Sequence, residues 1–250
     1  MCTVIVLHRP NLAWPLILAA NRDEMAGRPW RPPARHWRDR ENVVAGLDEL
    51  AGGTWMGLND TGVVACVLNR IGTLGPEPGK RSRGELPLEA LDHPDAALAV
   101  AALADLDPRA WRPFNMVVAD DRDAFWLRST GTGRVRVARI PEGLSMLTAR
   151  DLDDPADPRI AAHRPAFAAT PAPDPETGDF ESWKALLGAP GPDGRHDGEA
   201  ALRVERADGF GTRSSSIIAL PSTRRAGVRP VWLFAAGPPD RTAWTAVTPP

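Results

Sequence analysis

Two short apolar runs near the start of the chain, residues 3–7 and 16–20, constrain the fold more than any other stretch. Each is β-branched or continuously apolar. Arg9-Pro10-Asn11 between them is a turn signal, so the pair reads as a β-hairpin. A hairpin sets the end of its second strand beside the start of its first. That brings Cys2 next to Asn21-Arg22-Asp23-Glu24. Removal of Met1 would leave Cys2 with a thiol and a free α-amine on one carbon. Those groups titrate near ~8.5 and ~7.7–8, so each stands close to a proton transfer at neutral pH. An N-terminal nucleophile can use its own amine as base, as threonine does. In that setting Arg22 would stabilise a thiolate, and Asp23 would hold the ammonium or orient the amine. The plain alternative is a solvated turn beside an unreactive thiol. Cys66 lies within an apolar run and reads as core.

Residues 26–42 are rich in arginine, proline and tryptophan, an extended surface segment that cannot be helix and that reads either as one wall of a pocket or as a plain surface loop. Residues 54–59 and 62–68 flank Asn59-Asp60-Thr61-Gly62 as a second hairpin. Ser82-Arg83-Gly84-Glu85 has the spacing of a capping box and opens a helix. Residues 94–106 are alanine-rich and helical, with Asp92 as the expected cap. Strands are expected over 115–119, 124–129, 135–140 and 144–148, helices over 157–167 and 179–187, and three late strands over 215–220, 231–235 and 243–247. Pro165 is expected to limit the first of those helices. No linker cuts the chain, so residues 1–250 read as one α+β domain of layered-sandwich type.

Net charge is −2 with no long basic run, which argues against nucleic acid or an anionic membrane surface as partner. No window approaches the ~20 apolar residues of a membrane helix. The early apolar segment at 12–20 is short, contains Pro15 and has no basic leader before it, so a cytoplasmic location is expected. The five histidines lack metal-ligand spacing and no phosphate loop is present, so no metal and no required cofactor are expected. A small molecule is the expected partner.

Met1-Cys2-Thr3, Asn21-Arg22-Asp23-Glu24, Gly52-Gly53-Thr54-Trp55-Met56-Gly57, Asn59-Asp60-Thr61-Gly62, Val67-Leu68-Asn69, Ser82-Arg83-Gly84 and Gly211-Thr212-Arg213-Ser214-Ser215 occur in this order. The ensemble resembles the NRDE family, the transport-and-Golgi-organisation type 2 family, across practically the whole chain. The resemblance implies a four-layer αββα sandwich of the N-terminal-nucleophile hydrolase type, similar to penicillin acylases and bile-salt hydrolases. It implies Cys2 as nucleophile in hydrolysis of a small amide, Asp23 as acidic partner of the amine, and Arg22 as neighbouring cation. Asn69 becomes an oxyanion donor by analogy, or an asparagine that merely ends its strand.

Substrate contacts are expected from Asn21, Glu24, Trp55 and Arg213. Arg213 would reach an anionic group or Glu24, with a structural ion pair as the alternative. Trp55 would line the pocket or pack the sheet. Many family members carry Gly-Leu-Ser-Asn where this chain has Gly143-Leu144-Ser145-Met146. Methionine cannot donate a hydrogen bond, and a lost oxyanion donor can cost ~2.7–4 kcal/mol of transition-state stabilisation. The resemblance therefore also implies an alternative: a non-catalytic protein handling haem, as a ligand, or lipid and acyl-CoA.

Overall fold

A computed structural model describes residues 2–248. The first hairpin forms as the apolar runs require: β1 (Thr3–His8) pairs antiparallel with β2 (Leu16–Met25), with Thr3 opposite Asn21. Strand β2 does not stop at Ala20. It continues through Asn21-Arg22-Asp23-Glu24, which are strand residues rather than a terminal turn. They stay extended because β11 (Phe210–Leu220) pairs along the other side of β2 over its whole length. The remaining strands of this sheet are β10 (Gly143–Leu147), β12 (Val231–Ala235) and β13 (Trp244–Ala246), in the order β10-β1-β2-β11-β12-β13.

A second antiparallel sheet contains β3 (Trp30–Ala34), β4 (Val43–Asp48), β5 (Met56–Asn59), β6 (Val64–Asn69), β7 (Phe114–Ala119), β8 (Ala124–Ser129) and β9 (Arg136–Arg139), in chain order. Strand β3 was expected only as extended segment. It carries Pro32 and Pro33, and its register with β4 shifts between Arg31 and Ala34. Strand β4 has no counterpart in the sequence reading.

Both sheets are covered on their outer faces. Helices α1 (Glu85–Leu91) and α2 (Ala96–Ala104) pack on the second sheet, burying Leu86, Leu91 and Leu103 against Ala65, Met116 and Val118. Helices α3 (Pro158–Ala169) and α4 (Glu181–Leu187) pack on the first, with Ile160, Phe167 and Trp183 against Ile5, Ile17 and Ile217. Between the sheets lie Val4, Val6, Leu18, Val64, Cys66 and Val117. Successive residues of one strand thus enter different cores, which is why the strands read as continuous apolar runs rather than alternating ones. The architecture is αββα, as the resemblance implied. No helix among the described residues is long and apolar enough to cross a membrane.

Local chemistry differs from expectation at three helix positions. Ser82 and Glu85 form no capping box: Ser82 Oγ accepts from the Gly84 amide, and Glu85 pairs instead with Arg81. Asp95, not Asp92, caps α2 by accepting from the Leu98 amide. Pro165 lies inside α3, which continues to Ala169. The second hairpin forms as read. Its Asn59 carboxamide accepts from the Thr61 and Val63 amides and donates to the Leu91 and His93 carbonyls, tying the turn to the end of α1. After β10 the chain reverses at Asp153, held at φ 53°. Its carboxylate accepts from the Met146 amide (2.8 Å), and its own amide donates to the Met146 carbonyl (2.9 Å).

The loops ahead of β5 and α1 meet without side chains between them. A Cβ added at Gly53 would lie 2.5 Å from the Gly84 carbonyl carbon, and the Thr54 amide donates to the Gly84 oxygen at 2.9 Å. Backbone cannot yield there as a side chain would, so Gly53→Ala is expected to destabilise by about 1–3 kcal/mol. Gly27→Ala meets nothing within 4 Å and is expected to stay within about 0.5 kcal/mol. Urea unfolding of the two variants side by side makes the comparison.

Candidate active site

Side-chain alternation along β2 divides the polar run between two faces. Ala20 faces the core between the sheets and Ala19 the helical layer. Arg22 and Glu24 follow Ala20 and line a cavity. Asn21 and Asp23 follow Ala19. Cys2, half-buried at the start of β1, lies across from this run, and its Sγ donates to the Asp23 carbonyl in a long contact of 3.8 Å.

The Asp23 carboxylate is buried and held from a neighbouring strand and from a helix. Thr212 Oγ1 on β11 donates to Oδ1 at 2.7 Å, and Arg159 from the start of α3 reaches Oδ2 at 3.3 Å. The same Nη1 of Arg159 donates to Thr3 Oγ1 at 2.7 Å, while Thr212 Oγ1 accepts from the Val204 amide. A register shift between Thr212 and Ser214 lets β11 follow β2 here. The result is a fixed acid on the residue whose backbone carbonyl meets the Cys2 thiol. Arg159 escaped the sequence reading. Asp157-Pro158 marks a helix start, and its carboxylate accepts from the Arg159 and Ile160 amides, but nothing local links that helix end to Asp23.

Arg22 is 6% exposed and lies over the Trp55 ring at 4.3 Å, with Trp30 at 5.9 Å. Trp55 lies flat enough to serve because Gly46 beneath it has no side chain: a Cβ there would fall 2.3 Å from the ring. Trp55 is thus both sheet packing and cavity wall. Arg22 Nη1 has no hydrogen-bond partner among the described residues. Burial pushes the Arg22 pKa down, with the Cys2 thiolate acting to raise it. Burial pushes the Cys2 thiol up, Asp23 adds to that, and Arg22 opposes it. Cys66, wholly buried, is pushed up to about 12 by burial.

The cavity has a volume of about 260 Å³ and brings together Cys2, Arg22, Asp23, Glu24, Trp55 and Asn69. Asn69 ends β6 at its wall. A smaller void of about 20 Å³ lies behind Cys2 among Val4, Met56 and Cys66. The rim adds Arg28, from the extended segment read either as a pocket wall or as a surface loop, and Asp48, Arg83 and Arg112, which sequence reasoning passed over. Of these, Arg83 stood in a quoted motif, Ser82-Arg83-Gly84, where the helix-start signal drew attention away from its charge.

Two expected ligand groups have other work. The Asn21 carboxamide donates to the Leu187 and Leu202 carbonyls (2.9 and 3.0 Å) and accepts from Ser215 Oγ (2.6 Å), so it ties β2 to α4 and β11. Arg213 donates to the backbone oxygens of Glu24 (3.0 Å) and Gly209 and is not among the cavity-lining residues. Nor does Met146 remove a donor from the site. Opposite Ile5 on β10, it is fully buried in the core beneath α3 and α4. Among the described residues no group of three or more His, Cys, Asp or Glu could hold a metal ion.

The family described as Transport and Golgi organisation 2 matches residues 1–228. The Transport and Golgi organization 2 homolog of Mus musculus is 34% identical over 127 residues, 48% of this chain and 45% of the mouse protein. The Homo sapiens homolog is 34% identical over 129 residues, again 45% of its length. The match thus spans less than half the length of these curated relatives. Among solved structures, a Caenorhabditis elegans N-acylethanolamine-hydrolyzing acid amidase ortholog superposes with TM-score 0.60 at 15% identity, covering 88% of this chain and 93% of that one. Penicillin V acylase from Agrobacterium tumefaciens gives 0.55 at 14% identity, covering 99% and 86%. A variant of conjugated bile acid hydrolase from Clostridium perfringens gives 0.55 at 12%, covering 98% and 92%. These likenesses show the N-terminal-nucleophile hydrolase fold.

The electrostatics around Cys2 predict variants of opposite sign. Iodoacetamide labelling of Cys2 in the full chain should still be accelerating above the ordinary thiol range of ~8.5. Arg22→Gln removes a stabilising cation and should move the midpoint higher, whereas Asp23→Asn removes an opposing anion and should move it lower. Cys66 should remain unlabelled throughout. Peptide mapping by mass spectrometry across pH reads all of these shifts.

Proposed function

Since this chain belongs to the Transport and Golgi organisation 2 family, we propose that its Cys2 cavity hydrolyses a small amide through an N-terminal thiol. The observation that carries this reading is that the Cys2 thiol, in a cavity wall, meets the backbone carbonyl of Asp23, whose buried carboxylate is fixed by Thr212 and Arg159. Met1 lies outside the described residues, and its removal is part of the proposal.

Once Cys2 is N-terminal, its amine takes the Sγ proton and Asp23 holds the resulting ammonium. The thiolate attacks the amide carbonyl carbon, forming C–S, and the carbonyl π pair moves to oxygen. The Asn69 carboxamide at the cavity wall donates to that oxyanion. Collapse breaks the C–N bond, and the ammonium proton goes to the departing amine. Water, deprotonated by the same α-amine, then cleaves the thioester and returns the proton to sulfur. With Met146 buried under the outer helices, its presence does not count against this sequence of steps.

Carriage of haem or an acyl lipid without chemistry is the second reading, and the arginine-rich rim favours it. Two observations weigh toward the hydrolase. The cavity of about 260 Å³ is modest beside the ~300–1,000 Å³ of sites that enclose drug-sized ligands, and no histidine is among its described lining residues. A free reactive thiol also belongs in a reducing compartment, so a cytoplasmic setting is part of the proposal.

Intact mass should show Met1 absent from active preparations, and processed protein should turn over members of an N-acyl amide panel. Cys2→Ala should abolish turnover, and Asn69→Ala should lower kcat on the order of 10²–10³-fold. Processed protein that hydrolyses nothing, yet gives a saturable shift of the Soret band on haem titration, would replace this reading with the carrier.

A further inference from the structure

The cavity wall holds more positive charge than its carboxylates neutralise, and the excess is localised. Arg28 is paired with Asp48 at 2.7 Å, Arg81 with Glu85 at 2.5 Å, and Arg112 with Glu77 at 3.3 Å. Lys80 donates to the Arg109 carbonyl at the exposed rim. Arg22 and Arg83 differ from these. Neither has a carboxylate within ion-pair distance among the described residues. Arg83 donates to Thr73 Oγ1 (3.0 Å) and to the Pro113 and Gly75 carbonyls (3.1 and 3.4 Å), all neutral acceptors. Arg22 is 6% exposed, faces the ring of Trp55, and leaves Nη1 unpartnered.

Arg22 is buried and Arg83 half-buried. Glu24 and Asp48 act on Arg22, and Glu24 on Arg83, only from beyond ion-pair distance. Burying a guanidinium so weakly countered is costly, and the cost falls when an anion enters. Burial pushes the pKa of both groups down, that of Arg83 to about 10, which leaves Arg83 cationic at neutral pH. Their planar forks suit an oxyanion bound through two N–H groups. Both line the same cavity as Cys2.

We propose that the amide cleaved at Cys2 carries a carboxylate or phosphate group, which docks against Arg22 and Arg83. This rests on the hydrolase reading and narrows its substrate class to acyl amides with an anionic substituent. It gives Arg22 a role beyond stabilising the thiolate, and the two roles separate experimentally. A cation that only stabilises sulfur changes the rate with every electrophile alike. A cation that binds the incoming anion changes the preference between electrophiles.

Iodoacetate and iodoacetamide differ little in size and by one negative charge. Relative to glutathione, native Cys2 should favour iodoacetate on the order of tenfold, the lower end of what charge-lined clefts add. The preference should fall to the glutathione value in Arg22→Gln and Arg83→Gln, survive in Arg83→Lys, and weaken in high salt. Succinate and inorganic phosphate supply a readout independent of the thiol: one or both should raise Tm of the native protein and not of Arg83→Gln, and which does so identifies the oxyanion. Native preference equal to that of glutathione, with rapid iodoacetamide labelling, overturns the anion cradle and leaves the hydrolase reading intact. A Cys2 inert to both reagents sinks the hydrolase reading, and the titration then decides the cradle, which fails if neither anion stabilises the native protein.

Discussion

A strand buried on both faces cannot hide three consecutive polar residues unless each face supplies partners, and β2 does so with Asn21, Arg22 and Asp23. Its period of two sends Arg22 and Glu24 toward the cavity and Asn21 and Asp23 toward the helical layer. Buried polar groups left without hydrogen bonds cost about 1–3 kcal/mol each, so the neighbouring elements are built to meet them. Carbonyls of Leu187 and Leu202 receive Asn21, Thr212 and Arg159 receive Asp23, and an aromatic face receives Arg22. A slip of one residue against β1 or β11 would exchange the two faces and turn the Asp23 side chain away from Thr212 and Arg159. The polar run therefore fixes the strand register as firmly as the apolar residues before it.

Much of this was legible in the chain. The first hairpin follows from two apolar runs and a proline turn, and the hairpin alone brings Cys2 beside Asp23. The Asn59 turn, the alanine-rich helix and most later strands follow from equally local signals. What escaped depends on long-range contact. The extension of β2 through Glu24 is stabilised by β11, nearly two hundred residues later in the chain, and polar residues carry no local strand signal. Arg159 is joined to Asp23 only once α3 packs on the sheet. Strand β4 is short, and Gly46 and Asp48 within it weaken its pattern; Gly46 is there because Trp55 needs the space.

Met146 shows why a motif position is not yet a site position. Its place in Gly143–Met146 suggested a missing oxyanion donor. The pairing of β10 with β1 puts it opposite Ile5, whose side chain already belongs to the core beneath α3 and α4. The face of the strand decides the matter, and the face is set by a partner strand more than a hundred residues away in sequence. Arg83 is the converse, a residue whose helix-start context concealed a place on the cavity wall.

The four outermost strands of the two sheets have a further consequence for how this molecule meets others. An outermost strand with free amides and carbonyls invites a strand from another chain. Here β3 lacks two amides at Pro32 and Pro33 and changes register beside them, while β9 is exposed and begins and ends in arginine. Strand β13 is only three residues long, and Asp153 folds back onto the amide and carbonyl of Met146 in β10. Each device differs, yet all four oppose the same event. Lateral growth of either sheet is disfavoured, which lets a fold made mainly of strands present a charged cavity mouth without risking edge-to-edge aggregation.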